Sequence, residues 1–141
     1  MKAHILTFAI LLLILQPLAA QNGETFLQFE GGEGAGKGKH VVLVAGDDEY
    51  RSEESMPMLA KILSERFGFK TTVLFPIHPE SGDVVPNYQN NIPGLENLQS
   101  ADLMIMLIRF RELPDEQSQY IEDFLMAGKP VIGLRTSTHA F

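Results

Sequence analysis

Between residues 40 and 141 the apolar positions follow two alternating patterns, short unbroken runs and stripes at helical spacing. The run His40-Val41-Val42-Leu43-Val44-Ala45 is rich in Val and uninterrupted, as expected of a parallel strand covered on both faces. Gly46 opens the turn Asp47-Asp48-Glu49-Tyr50-Arg51. A helix then follows, with Ser52 or Ser55 as N-cap, Pro57 in its first turn and Gly68 as its stop. Leu59, Ile62, Leu63 and Phe67 form its predicted inward stripe. Lys70 to Phe75 is the second expected strand, and Ala101 to Leu107 the third. A second helix starts near Pro114, has acids in its first turn, and turns Tyr120, Ile121, Phe124 and Leu125 inward. Gly128 ends it, and Pro130 to Leu134 is the fourth strand. The stretch from Pro76 to Ser100 recurs in Pro, Gly and Asn and fits neither pattern, apart from a short helix near Pro93–Leu98. Irregular loops of that length often serve as functional lids.

Strands alternating with helices through short connections imply parallel pairing and right-handed crossovers. The expected fold class is therefore a three-layer α/β/α doubly wound parallel sheet, flavodoxin-like, with strand order 2-1-3-4. Such a sheet opens a crevice between its first and third strands, where the order reverses.

The amino-terminal patterns differ. Lys2, the apolar run Ile5 to Leu15 and the small-residue end Pro17-Leu18-Ala19-Ala20 match a secretory signal peptide at residues 1–20. The run is shorter than the ~20 residues a spanning helix needs. A secreted or periplasmic location follows, with no membrane span once the signal is removed. Residues 21–39 are Gly-rich and read as a flexible lead-in, with Phe26-Leu27-Gln28-Phe29 as its one segment able to dock. Within it, Gly31-x4-Gly36-Lys37-Gly38 half-matches a phosphate-binding loop. Gly38 replaces the hydroxyl residue such a loop needs, and a strand follows where a helix should, so the segment reads as a linker.

Charge and composition narrow the chemistry. Loss of Lys2 with the signal takes the formal charge from −7 to −8, and an acidic chain repels nucleic-acid backbones. There is no Cys, which removes thiolate catalysis and Cys-based zinc sites. His4, His40, His78 and His139 are too scattered for a His-based metal site. Asp47-Asp48-Glu49 after the first strand would repel a flavin phosphate, so no cofactor is expected.

The expected topology brings Asp47–Arg51, Arg109–Arg111 and Arg135–His139 to one rim, the carboxyl edge of the sheet. Four of the five arginines (Arg51, Arg109, Arg111, Arg135) fall in these turns, which hold no Lys. Arg presents a planar fork suited to carboxylates and oxyanions, whereas Lys is a solvated point charge. Two readings remain open: a salt-bridge network with Asp47, Asp48 and Glu49 that stiffens the loops, or a polar pocket for an oxygen-rich small molecule. In the second, Arg135, Arg109, Arg51, Asp47, Glu49 and Ser137 are the binding residues, and Tyr50 or Phe110 could stack on a sugar ring. His139 is the one rim residue suited to general acid/base work near neutral pH. Ser137 and Thr138 could be nucleophiles only with a base in reach, and helix capping is the favoured use of Thr136, Ser137 and Thr138.

The strings Gly46-Asp47-Asp48-Glu49-Tyr50-Arg51-Ser52-Glu53-Glu54 and Ala127-Gly128-Lys129-Pro130-Val131-Ile132-Gly133-Leu134-Arg135-Thr136 resemble ThuA-like (trehalose-utilisation) proteins of the class I glutamine amidotransferase-like superfamily, especially secreted bacterial members. The resemblance covers His40 to Phe141. It implies a link to carbohydrate metabolism and a sugar-like small-molecule ligand, bound with or without processing. Amidotransferases of the superfamily carry a Gly-x-Cys-x-Gly elbow after this strand. Gly133-Leu134-Arg135-Thr136-Ser137 stands there instead, and a guanidinium is no nucleophile, so glutaminase chemistry by a thiol is excluded. A non-enzymatic binding module on the same fold is the alternative. The superfamily's catalytic His and acid would lie beyond Phe141, and the fourth strand would keep an open edge. The chain is accordingly expected to be the amino-terminal part of a longer domain.

Overall fold

A computed structural model describes residues 25–141. The expected signal peptide, and residues 21–24 of the lead-in, lie outside the described residues. Five strands form one sheet: β1 (Phe26–Phe29), β2 (His40–Gly46), β3 (Lys70–Leu74), β4 (Leu103–Ile108) and β5 (Val131–Gly133). Two helices, α1 (Ser52–Phe67) and α2 (Asp115–Met126), connect β2 to β3 and β4 to β5. The strand order is β1-β3-β2-β4-β5. This differs from the four-strand order expected: β1 adds an antiparallel edge beside β3, while the other neighbours pair in parallel.

The two faces of the sheet carry separate cores because strand side chains alternate with period two. On one face Val42, Val44, Met104 and Met106 meet Ile121 and Phe124 of α2, together with Leu95 and Leu98 of a 3₁₀ turn (Leu95–Ser100). On the other, Val41, Leu43, Ile105 and Leu107 meet Met56 and Ala60 of α1. Coverage on both sides explains why β2 and β4 are unbroken apolar runs.

Helix α1 turns a different stripe inward from the one its large apolar residues suggest. Ser52, Met56, Ala60 and Ser64 are buried, whereas Ile62 and Phe67 are 45% and 48% exposed. Small residues at four-residue spacing let the helix lie close to the sheet: the Thr71 hydroxyl donates to the Ala60 carbonyl at 3.3 Å. Leu59 and Leu63 pack at the margin of that core. Pro57 lies in the second turn of α1, one turn further in than expected, where its ring removes a helical hydrogen bond. In α2, likewise, Ile121 and Phe124 are buried and Leu125 is exposed.

The Gly-rich segment is docked, and the folded unit extends back to β1. Gly32 N–H donates to the Gly68 carbonyl at 3.2 Å, and Gly36 N–H to that of Phe67 at 2.7 Å. A Cβ on Gly34 would come within 2.4 Å of the Phe67 carbonyl oxygen, and one on Gly36 within 2.3 Å of the Phe69 ring. Glycine is required here for close approach to the α1–β3 turn, not for a mobile linker. The phosphate-loop half-match is spent on this contact.

The same amino edge seats His40, whose Nε2 lies 2.9 Å from Thr72 Oγ1 and Nδ1 3.1 Å from Ser100 Oγ. Its backbone N–H donates to Asp102, which also pairs with Lys39. The irregular stretch after Pro76 is likewise packed: Ile92, Leu95 and Leu98 are fully buried, and Ile77 pairs with Val84. No helix among the described residues is long and apolar enough to cross a membrane.

Candidate functional site

The turns after β2, β4 and β5 meet at the carboxyl edge. The three non-glycine residues with positive φ among the described residues lie one in each of them: Arg51 (φ 50°), Phe110 (φ 50°) and Arg135 (φ 39°). Left-handed backbone costs an L-residue roughly 1–2 kcal/mol, and glycine stands at none of these positions. Such strain gathers where side-chain placement matters more than stability.

Asp47 organises the β2 turn. It is buried, and its Oδ1 accepts from the N–H groups of Glu49 at 2.8 Å and Tyr50 at 3.0 Å. Its Oδ2 accepts from the hydroxyl of Thr136, which ties the β2 turn to the β5 turn. Ser52 does not cap α1 in the expected way. Its hydroxyl turns back, accepting from the N–H groups of Gly46 and Asp47 and donating to the Asp47 carbonyl at 2.9 Å. Arg51 takes the N-cap position with no side-chain cap bond and pairs with Glu54 of its own helix.

The arginines divide by environment. Arg111 is buried and spent on carbonyls: Nε donates to Arg109 at 2.8 Å and Nη1 to Tyr88 at 2.9 Å. Burial lowers its pKa, opposed by Asp48 and Asp47. Arg109 pairs with Glu49 at 2.5 Å. Arg135 is exposed, and among the described residues no carboxylate lies within ion-pair distance of it. Its guanidinium carbon sits 4.0 Å from the centroid of the Tyr50 ring, a cation–π arrangement. Tyr50 first, then Glu49 and Asp47, raises its pKa from a value at which a guanidinium is already charged. The loop-stiffening network is therefore partial, and Arg135 stands outside it.

Arg135, Tyr50, Thr136, Thr138 and His139 line an open cavity of about 410 Å³, within the ~300–1,000 Å³ usual for small-molecule sites. Thr138 Oγ1 lies 2.9 Å from Nδ1 of His139, and the His139 ring meets the Phe110 ring edge-on at 6.2 Å. Ser137, expected as a ligand residue, is engaged elsewhere. Its hydroxyl donates to the Met106 carbonyl at 2.9 Å and accepts from Ile108 N–H at 3.2 Å, so it fastens the β5 turn to β4.

The structure thus brings Arg135 and His139 to the cavity wall, with Asp47 beneath it. Glu49 and Arg109 lie beside it as a pair, while Arg51 points along α1 and Ser137 faces the sheet. Thr136 and Thr138 do line the cavity, although helix capping is the commoner use of hydroxyls in such a turn. Sequence spacing also misses Asn87 and Gln89, which reach the rim from the irregular stretch. The polar tract Tyr88–Asn91 is the signal that could have found them. Glu53, in the first turn of α1, keeps one carboxylate oxygen buried without a hydrogen-bond partner. Among the described residues no three His, Asp or Glu side chains converge as metal ligands. What the rim offers is an unpaired planar cation, two hydroxyls, an imidazole and an aromatic face. Comparison with family models, with curated proteins and with solved structures gives no match for this chain.

Proposed function

We propose that this chain is an exported ThuA-like domain of flavodoxin-like topology that binds a carbohydrate-derived small molecule at its carboxyl edge. The observation that carries the binding role is Arg135: charged, unpaired, held by a left-handed backbone, and laid on Tyr50 in the wall of a 410 Å³ cavity. A fixed guanidinium fork takes up oxyanions and paired hydroxyls, and an aromatic ring beside hydroxyls suits a pyranose face. The carbohydrate class comes from the ThuA-like strings at Gly46–Glu54 and Ala127–Thr136. Each contains part of the cavity lining, Tyr50 in the first and Arg135 and Thr136 in the second.

Binding without turnover is the form these residues favour, since Ser137 is committed to the sheet and Asp47 to its own turn. Processing is a second reading on one observation, the 2.9 Å contact of the Thr138 hydroxyl with the His139 imidazole. A base in reach of a hydroxyl is the minimum for a nucleophile.

Calorimetric titration of the protein with neutral sugars, keto-sugars and sugar acids tests the binding role. Arg135→Ala should weaken the tightest binder by roughly tenfold or more, as loss of a charge-assisted pair does. Equal affinity in the variant rejects Arg135 as the anchor, and no binding across the panel rejects the function. Proton NMR of the bound sugar over time separates the two forms: new signals that vanish in His139→Gln establish processing.

A further inference from the structure

A second cavity of about 260 Å³ opens on the same edge, lined by Asp48, Asn87, Gln89, Arg109, Phe110 and Arg111. Its lining is tied to that of the Arg135 cavity by chain neighbours and by side-chain contacts. Asp48, Glu49 and Tyr50 are consecutive: Asp48 lines the second cavity, Tyr50 the first, and Glu49 reaches Arg109 between them. Phe110 lines the second and touches His139 of the first, while its N–H donates to the His139 carbonyl at 2.8 Å. The partition is thus two side-chain pairs, Glu49–Arg109 and Phe110–His139. The ion pair is between side chains 33% and 50% exposed, where water competes with it and rearrangement is easy.

Charge gives the joined space a direction. Among the described residues, Arg135 is the one rim arginine with neither a carboxylate nor a carbonyl on it. In the second cavity Arg109 is neutralised by Glu49, and the Arg111 cation, whose donors are taken up by carbonyls, faces Asp48 and Asp47. Asp48 adds a negative charge there, and Asn87 and Gln89 supply neutral donors and acceptors of the kind that read sugar hydroxyls. An anionic group is favoured at the Arg135 end, while the charges at the Asp48 end balance and favour a neutral one. The smaller cavity is below the usual range for a ligand site of its own, so it fits better as an extension of the larger one, which already lies in that range.

We propose that the two cavities form one bipartite site for an acidic disaccharide. The uronate carboxylate lies on Arg135, the linkage crosses Phe110, and the neutral sugar unit rests among Asp48, Asn87 and Gln89. This rests on the carbohydrate-binding reading and adds the ligand's size, charge and direction.

The test is calorimetry of the whole chain with glucuronic acid, neutral disaccharides, and a panel of uronate-containing disaccharides that differ in linkage. At least one acidic disaccharide should bind roughly tenfold or more tightly than glucuronic acid, from the added hydrogen bonds. The double variant Asn87→Ala/Gln89→Ala should lose that gain and leave glucuronic acid binding unchanged, which also shows that it is folded. Arg135→Ala should weaken both ligands. If glucuronic acid binds through Arg135 and no disaccharide improves on it, the bipartite site is wrong and the carbohydrate reading stands. The same holds if the gain survives in the double variant. If neutral disaccharides match the acidic ones, the charge assignment fails, and if nothing binds, both proposals fall.

Discussion

The two edges of the sheet solve the same problem, turning the chain between strands and helices, by opposite means. At the amino edge the tight positions belong to glycine. Gly34 and Gly68 take the positive φ values, and Gly31 and Gly36 let the backbone segments touch. Polar groups there are spent on one another, as His40, Thr72, Ser100, Asp102 and Lys39 show. At the carboxyl edge Gly46 closes β2 at φ 155°, but the positive φ values in the turns after β2, β4 and β5 fall on Arg51, Phe110 and Arg135, and two cavities stay open between them. One edge is closed by residues that fit their backbone. The other keeps large side chains in backbone conformations that disfavour them. The contrast puts backbone fit first at the amino edge and side-chain placement first at the carboxyl edge.

The largest effect that could break this contrast is at Gly34. Its φ of 148° disfavours any side chain, and a Cβ would meet the Phe67 carbonyl oxygen at 2.4 Å. Gly34→Ala should cost about 2–4 kcal/mol, from backbone strain and overpacking together. A urea midpoint unchanged from wild type would mean that the segment is the loose linker its composition suggests, and the amino edge would lose its role.

The carboxyl edge should respond with the opposite sign. Arg51 is left-handed at the N-cap of α1, and among the described residues its one ion pair is with Glu54, both side chains exposed. Arg51→Gly relieves the strain and loses a surface pair worth little, so stability should rise by up to about 1 kcal/mol. Arg51→Ala keeps the strain and should be no more stable than wild type. Glycine outranking alanine reverses the usual order within a helix. If the two variants rank the usual way in urea denaturation, the strain at this turn is not real.

How much of this was legible in the sequence follows from which forces write a pattern. The runs at β2 and β4 are buried on both faces, so hydrophobicity alone marks them and the parallel α/β character. Strand β1 reads in the sequence only as a segment able to dock, as Phe26–Phe29 does on β3, and not as a strand, because at an edge Leu27 is left 45% exposed and four residues of mixed polarity resemble a linker. The inward face of α1 was misread for a related reason. Where a helix lies close to a sheet the buried positions are small, and Ser52, Ala60 and Ser64 carry no hydrophobic signal. At the site, the clustering of Arg51, Arg109, Arg111 and Arg135 on one rim followed from placing the strands. Their separate fates did not, because whether a guanidinium meets a carbonyl, a carboxylate or a tyrosine ring depends on loop paths. Ser137 shows the same limit: its residue type suggests a ligand, and its hydrogen bonds to Met106 and Ile108 fasten a turn.

Smaller still is an effect that should single out the amino edge by its pH dependence, since one ring contributes only between its folded and unfolded pKa values. Burial, and after it the charge of Lys70, lowers the His40 pKa from its ordinary 6.5, against the opposing pull of Ser100, Asp102 and Glu30. Below about pH 6.5 the unfolded chain therefore binds a proton that the folded chain resists. The stability contributed by neutral His40 is fully present above that pH, and is lost as pH falls toward the lowered folded value. His40→Gln keeps hydrogen-bonding groups near Thr72 and Ser100 and cannot titrate. Urea midpoints of the wild type should fall between pH 7 and pH 5 more steeply than those of the variant. Parallel pH profiles would mean that water reaches His40, and that the amino edge is less tightly closed than its hydrogen bonds imply.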